Sequence, residues 1–127
     1  MSNLETERLA RAAVIQYEAN RGRTEVEGEG GKGSGYDLKT QNAQGESRLI
    51  EIKSTKKPYL TARWLEPLEF EVMMTNDNYW VYAVLNAVDS PRIRAFSKTE
   101  WLEHFDREEL KRWYKFSRKE FAGAEEP

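Results

Sequence analysis

Two short pieces of the sequence carry the residue types that are best suited to chemistry. Asp37 follows Gly35 and Tyr36, and after thirteen further residues the sequence continues with Glu51, an isoleucine and Lys53. On an extended strand the side chains of Glu51 and Lys53 point to the same side, about 6.6 Å apart along the strand. Two carboxylates at a sheet edge can bind Mg²⁺, and a neighbouring lysine can position or help to deprotonate a water or neutralise charge on the transition state. The pattern is therefore suited to hydrolysis of a phosphodiester.

The composition excludes several other kinds of site. The chain has no cysteine and a single histidine, His104. It therefore cannot form a disulfide, a thiolate zinc site or a zinc site of several histidines. A Ser-His-Asp triad would depend on His104, which lies near Trp101 and Phe105 in a predicted helix and is better explained as a structural or surface residue. Hydrolysis would have to use carboxylates and a lysine.

A hairpin is expected to bring the candidate residues together. Residues 36–41 and 47–55 are typical of two strands, and the segment 42–46 between them contains asparagine and glycine, which favour a turn. In the second strand Ile50 and Ile52 would face the core. This leaves Glu51 and Lys53 on the other side, close to the start of the first strand.

Periodic apolar residues predict the elements around the hairpin. Helices are expected over 3–21, 61–75, 98–105 and 107–121, and further strands over 79–85 and 92–96. Pro67 would begin or interrupt the second helix, and the glycine-rich segment 27–35 should be a loop. The order α-β-β-α-β-β-α-α predicts an α/β (α+β) fold, a mixed central sheet flanked by helices. We expect a single domain over residues 1–122 and a disordered tail over 123–127.

Length, charge and hydropathy restrict the class of protein. A chain of 127 residues is long enough for one domain. Its 20 basic and 22 acidic residues give a net charge of −2, so DNA would have to be bound by a local patch. The longest apolar run has seven residues, 79–85, whereas roughly 18 are needed to span a membrane, and the first residues lack the features of a signal peptide. We expect a cytoplasmic protein without membrane contact.

Basic residues are concentrated around the candidate site. Residues 31–63 contain seven basic and three acidic residues, whereas residues 64–110 contain four and ten. The basic region favours contact with DNA phosphates, although a solvated hairpin surface would have the same composition. The candidate DNA-binding residues are Lys32, Lys39, Arg48, Lys56, Lys57 and Arg63. The glycine-rich segment lacks the Gly-Lys-Ser/Thr ending of a nucleotide-binding loop, so no nucleotide cofactor is expected.

This arrangement resembles the PD-(D/E)XK nuclease superfamily, in which a helix with an acidic residue precedes a hairpin that carries Asp and then Glu-x-Lys. It is more similar still to one branch, the domain found at the C-terminus of the plant protein NO VEIN and in many bacterial and archaeal helicase- or restriction-associated proteins. The resemblance covers about residues 4–96. It is carried by Glu7 and by residues 12–13, 17–18, 22–23, 35–38, 48–53, 60–61 and 78–84.

The resemblance implies a restriction-endonuclease-like fold and Mg²⁺-dependent cleavage of DNA, with Mn²⁺ as a substitute metal. Asp37 and Glu51 would be the metal ligands, and Lys53 would assist the water. A homodimer would fit, because one such unit cuts one strand. Two features depart from the branch: Lys53 is followed by serine where glycine is more usual, and the segment 56–61 is short.

The acidic residue of the first helix is either Glu7 or Glu18. The two are eleven residues apart, so they share a helix face but lie about 16.5 Å apart along the axis. Only one of them can reach the metal. In small relatives such as archaeal Holliday junction resolvases the acid lies near the start of this helix, which favours Glu7. Either residue can also be an ordinary exposed helix glutamate.

Two other hypotheses stand beside a nuclease of DNA repair, recombination or defence. The first is a nuclease-fold module without activity that binds DNA or a protein partner. The second is that Asp37, Glu51 and Lys53 form an ion-pair network that only stabilises the fold. An acidic residue followed at a distance by Glu-x-Lys is a loose pattern, so it permits each of them.

Overall fold

Three helices and five strands make up the part of the chain that the structure, a computed structural model, describes: residues 3–60 and 65–104. In chain order they are α1 (Asn3–Asn20), β1 (Thr24–Glu25), β2 (Leu38–Gln41), β3 (Ser47–Ser54), α2 (Pro67–Thr75), β4 (Tyr79–Leu85), β5 (Arg92–Ser97) and α3 (Lys98–His104). Within these residues none of the helices combines the length and the apolar character that a bilayer span requires.

The strands form one mixed sheet in the order β1-β2-β3-β4-β5. β2 and β3 are an antiparallel hairpin with Leu38 opposite Ile50, and in its turn the backbone N–H of Asn42 donates to the carbonyl oxygen of Glu46. β3 and β4 are parallel, because α2 returns the chain across the sheet between them. β5 pairs antiparallel with β4. The strand with the Glu-x-Lys residues, β3, therefore lies at the centre of the sheet.

Apolar side chains cover both sides of the sheet, which we call the α1 face and the α2 face. The main apolar residues of the α1 face are Ala10, Val14, Leu38, Ile50, Tyr82 and Val84. Those of the α2 face, which α3 also covers, are Leu49, Met73, Tyr79, Val81, Phe96 and Trp101. β4 is buried on both sides, which explains why its sequence does not alternate between apolar and polar residues.

The structure confirms the predicted α+β class and the hairpin, and it corrects several boundaries. The described elements follow the order α-β-β-β-α-β-β-α, because β1 is an additional strand. β1 has two exposed residues, too few for an apolar pattern to reveal it. The first hairpin strand begins at Leu38 rather than 36, and Pro67 begins α2.

Some predictions fall on parts of the chain that the structure does not describe. Residues 61–64 of the predicted second helix, the predicted helix over 107–121 and the predicted tail over 123–127 lie outside the described residues. A single domain over residues 1–122 therefore stays a prediction.

Candidate active site

Asp37 is held against β3 immediately before β2 begins. Its backbone N–H donates to the carbonyl oxygen of Ile50 at 2.8 Å, and its Oδ2 accepts from the backbone N–H of Ile52 at 2.6 Å. β2 starts one residue later, at Leu38, whose register partner is Ile50. The backbone N–H of Ile52 therefore has no partner in β2 and donates to the Asp37 carboxylate instead. A backbone N–H inside a sheet needs an acceptor, and supplying one fixes the carboxyl group of Asp37.

Two further elements support the backbone of Asp37. Arg11 of α1 donates from Nη1 to the Asp37 carbonyl oxygen at 2.9 Å, and its guanidinium also pairs with Glu25 of β1. Gly30 of the glycine-rich loop lies against the same peptide, since a Cβ at this position would be 2.7 Å from the Asp37 carbonyl oxygen. The short strand β1, which the sequence did not indicate, thus helps to position Asp37.

Glu51 and Lys53 project from β3 on the α2 face, as strand alternation predicts. Their register partners in β4 belong to the core of that face. Glu51 is 6% exposed, and the Nζ of Lys53 lies 3.4 Å from the Oε2 of Glu51. The charge of Asp37 also acts on Glu51. The fold therefore brings together the three residues that the sequence singled out.

α2 adds a carboxylate that the sequence did not indicate. The Oε1 of Glu69 lies 3.1 Å from the Nζ of Lys53, so the lysine is held between Glu51 and Glu69. The same Oε1 accepts from the backbone N–H of Glu66 at 3.0 Å, just before Pro67 begins the helix. Glu66 and Glu69 form a capping box in the structure, but nothing in the sequence indicates that Glu69 lies near Lys53.

We call Asp37, Glu51, Lys53 and Glu69 the carboxylate–lysine cluster. Burial raises the pKa of Glu51 well above its usual value, and the charge of Asp37 adds to this while Lys53 opposes it. Burial also raises the pKa of Asp37, against the lowering effect of the Ile52 N–H and of Lys53. Burial favours a neutral Lys53, but the charges of Glu51 and Glu69 outweigh it and raise the pKa of Lys53. When all four residues are ionised, the cluster has an excess of two negative charges.

The cluster fits a divalent metal ion by charge and by ligand chemistry. Mg²⁺ prefers oxygen ligands and retains several waters, so two carboxylates are sufficient protein ligands. Asp37 and Glu51, whose mutual repulsion a cation would relieve, would hold it. Within the described residues no group of three or more His, Cys, Asp or Glu side chains is arranged to hold a metal ion. A metal ion here would complete its coordination with water and substrate.

Glu7 lies in a cleft at the end of β3. The cleft has a volume of about 310 Å³ and is lined by Asn3, Thr6, Glu7, Ser54, Thr55, Lys56 and Lys57. It separates the first turns of α1 from the residues that directly follow Lys53, and the side chain of Glu7 is exposed. The structure thus places Glu7 beside the end of the strand that carries the Glu-x-Lys residues.

Glu18 belongs to a separate buried network on the α1 face. Its carboxylate accepts hydrogen bonds from Arg23 at 2.8 and 2.7 Å, from Thr40 at 2.7 Å and from Tyr82 at 2.7 Å. Burial would raise the pKa of Glu18, but these hydrogen bonds, the one from Arg23 first, outweigh it and lower that pKa. The carboxylate thus ties α1 to the sheet, and the fold does not bring it to Asp37.

The predicted DNA-binding lysines lie at two places. Lys56 and Lys57 line the cleft at the end of β3. Lys32 is exposed in the glycine-rich loop, and the Nζ of Lys39 in β2 lies 3.9 Å from the Oε1 of Glu29 in that loop. The structure therefore groups the lysines beside the cleft and beside the loop that supports Asp37.

Arg48 lies on the α1 face, opposite the carboxylate–lysine cluster. Its guanidinium stacks on the ring of Trp80, 3.5 Å from the ring centroid, and donates to the hydroxyl of Tyr82 at 2.7 Å. Arg48 is therefore bound to the same tyrosine as Glu18 and extends that network to the surface. Arg63, the remaining basic residue predicted to bind DNA, lies outside the described residues.

Comparison with known protein families assigns the chain to one of them. The family model for the C-terminal domain of the protein NO VEIN matches residues 6–96. The chain belongs to this family. The matched part of the chain contains Glu7 and all four residues of the carboxylate–lysine cluster. No functionally curated protein matches the sequence.

The fold of this chain is similar to that of Hjc, a Holliday junction resolvase from the archaeal hyperthermophile Archaeoglobus fulgidus. The two chains are 17% identical, and the similarity covers 92% of this chain and 93% of the resolvase with a TM-score of 0.60. At this identity the comparison establishes a common fold. It is the restriction-endonuclease-like fold that the resemblance implied.

Proposed function

We propose that this protein is a metal-dependent DNA endonuclease that hydrolyses phosphodiester bonds at the carboxylate–lysine cluster. The observation that supports this most strongly is the convergence of Asp37 and Glu51, both with raised pKa values, beside Lys53. Buried carboxylates that repel each other are typical of functional sites. Asp37 and Glu51 would hold Mg²⁺, or Mn²⁺ in its place, and the bound metal would supply charge stabilisation for the phosphate oxygens.

Lys53 acts as a positively charged hydrogen-bond donor in this proposal. The charges of Glu51 and Glu69 raise the pKa of Lys53 in the metal-free protein, so its ammonium is protonated there at neutral pH. Held between Glu51 and Glu69, the ammonium can orient that water or stabilise the negative charge that develops on the phosphate. The geometry thus favours two of the three roles that the sequence left open.

The cleft at the end of β3 is the proposed contact with the DNA backbone. Lys56 and Lys57 line it together with Glu7. The lining residues 54–57 directly follow Lys53 in the sequence. Lysine contacts to phosphates position DNA without reading its sequence, so we expect recognition of DNA shape. Glu7, the acid of the first helix that the fold places at this cleft, completes the proposed site.

Branched DNA is the first substrate class to test, because the structurally similar protein is a Holliday junction resolvase. Cleavage of two strands requires two sites, so the proposal includes a homodimer with one site in each copy. Such an activity belongs to DNA repair, recombination or defence.

Cleavage assays with matched variants test the proposal. Linear, branched and single-stranded DNAs are incubated with the wild-type protein, Glu51→Gln and Glu71→Gln in Mg²⁺, Mn²⁺ or EDTA. Glu71 is an exposed residue of α2 and controls for loss of a glutamate. We expect metal-dependent cleavage by the wild type and by Glu71→Gln, and none by Glu51→Gln with an unchanged circular dichroism spectrum. Cleavage by Glu51→Gln at the wild-type rate would refute this site.

One observation favours a second candidate, a DNA-binding module without activity. Lys53 already pairs with two carboxylates, so part of the cluster is neutralised without a metal ion. This candidate predicts that the wild type and Glu51→Gln bind the same DNAs equally and that neither cleaves them in any metal. Gel-shift assays on the same panel separate it from the nuclease.

A further inference from the structure

The ion pair between Glu69 and Lys53 joins α2 to β3 within the carboxylate–lysine cluster. The side chains of Lys53 and Glu69 are 11% and 16% exposed, and their charged atoms lie 3.1 Å apart. Glu51 lies at the longer distance of 3.4 Å from the same ammonium. Lys53 is therefore bound from its own strand and from the helix above it.

A bound metal ion would change the balance between these two contacts. In the proposed nuclease Asp37 and Glu51 would hold the metal ion, so the Glu51 carboxylate would be shared with the ion and the positive charge of the ion would repel the Lys53 ammonium. A lysine ammonium on a flexible four-carbon side chain has no fixed geometry of its own. Glu69 is then the carboxylate that keeps this ammonium in the site.

The position of Glu69 is itself well fixed. Its Oε1 accepts from the backbone N–H of Glu66, so the start of α2 restrains the same oxygen that binds Lys53. Helix α2 in turn packs on the loop before Asp37, where Val72 contacts Gly35 and the hydroxyl of Tyr79 donates to the Gly35 carbonyl oxygen at 2.7 Å. The hydrogen bond at the start of α2 and the packing of this helix on the loop therefore restrain Glu69.

We propose that Glu69 is a positioning residue of the nuclease site, which holds the Lys53 ammonium at the scissile phosphate while Asp37 and Glu51 serve the metal. This inference rests on the proposed function. Glu69 itself touches neither the phosphate nor the attacking water in the proposal, and it acts through Lys53.

The test compares Glu69→Gln with Glu71→Gln, a control in the same helix. Glutamine keeps an oxygen that can accept from the Glu66 N–H, so the start of α2 is preserved while the charge is removed. Cleavage kinetics should show kcat reduced about 10- to 100-fold for Glu69→Gln, with KM for DNA unchanged. Glu69→Asp, which keeps the charge but shortens the side chain, should lie between the wild type and Glu69→Gln.

A second readout needs neither metal nor substrate. In the ¹⁵N-labelled, metal-free protein, hydrogen exchange of the Lys53 ammonium measured by NMR reports how firmly Lys53 is held. We expect exchange to be several-fold faster in Glu69→Gln and unchanged in Glu71→Gln. A purely structural role for Glu69 would lower the unfolding midpoint without separating kcat from KM.

The outcomes distinguish this inference from the proposed function. If the wild type cleaves DNA and Glu69→Gln has the wild-type kcat, the positioning role is refuted and the nuclease stands. Unchanged ammonium exchange in Glu69→Gln and Glu69→Asp refutes it as well. If the wild type cleaves nothing on the panel, both the nuclease and the role of Glu69 in it are refuted.

Discussion

Gly35 sets how closely α2 approaches the loop that carries Asp37, and its replacement by alanine should be costly. The residue is buried and has a φ of +84°. A Cβ there would lie 2.6 Å from the Cγ2 of Val72 and 3.1 Å from the carbonyl oxygen of Leu68. We expect Gly35→Ala to destabilise the protein by about 2–5 kcal/mol, of which about 1–2 come from the positive φ and the rest from overpacking.

Gly33→Ala is the matched control for this prediction. Gly33 has a φ of +86° and no atom within 4 Å of the Cβ position, so only the conformational cost of about 1–2 kcal/mol applies. Urea unfolding followed by tryptophan fluorescence gives the free energy of unfolding of both variants and of the wild type. The difference between the two variants isolates the contact with α2.

A third variant identifies the clashing atom. Val72→Ala removes the Cγ2 methyl group, so in the Gly35→Ala background it should recover part of the loss rather than add to it. Equal destabilisation by Gly35→Ala and Gly33→Ala would refute this reasoning, because it would show that α2 can move away from the Asp37 loop at no cost.

Three further predictions concern the charge networks. Glu51→Gln should stabilise the metal-free protein by about 1–2 kcal/mol at pH 8 in urea unfolding. Folding raises the pKa of Glu51, so the ionised Glu51 carboxylate destabilises the folded wild type. This destabilisation should vanish below about pH 4 and grow as the pH rises towards the folded-state pKa. An equal difference in unfolding free energy between Glu51→Gln and the wild type at pH 4 and pH 8 would contradict this. Glu18→Gln should cost about 3 kcal/mol at neutral pH. Since folding lowers the pKa of Glu18, the stabilisation by its carboxylate should be lost as the pH falls below about 4 and through the folded-state pKa. In acid unfolding, the free energies of unfolding of the variant and the wild type should therefore converge at low pH. Tyr82→Phe deprives Glu18 and Arg48 of one partner each and should cost about 1–3 kcal/mol in thermal unfolding, with cleavage unchanged at a temperature where both proteins are folded.

Local rules were sufficient to predict the part of the site that lies on the hairpin. Alternation along β3 placed Glu51 and Lys53 on one side, and the turn between the strands returned Asp37 to them. These relations depend on residues that are close in the sequence and on the regular geometry of strands. The mixed sheet followed from the order of the elements for the same reason.

The contacts between distant elements were not predictable in this way. Glu69 reaches Lys53 only because α2 crosses over β3, and no local pattern specifies which turn of a crossover helix faces which strand residue. Glu18 and Glu7 share a helix face, so helical periodicity could not separate them. What separates them is the buried set of partners from β2 and β4, Thr40 and Tyr82, and these are far from Glu18 in the sequence.

The separation of the two networks by the sheet has an evolutionary consequence. The carboxylate–lysine cluster lies on the α2 face, and the network of Glu18, Arg23, Tyr82 and Arg48 lies on the α1 face. A mutation that removes a repelling carboxylate from the first network leaves the second intact and relieves an electrostatic cost. A nuclease with this arrangement can therefore lose catalysis in a single step without passing through an unstable intermediate, so inactive copies of this fold are expected to arise readily from active ones.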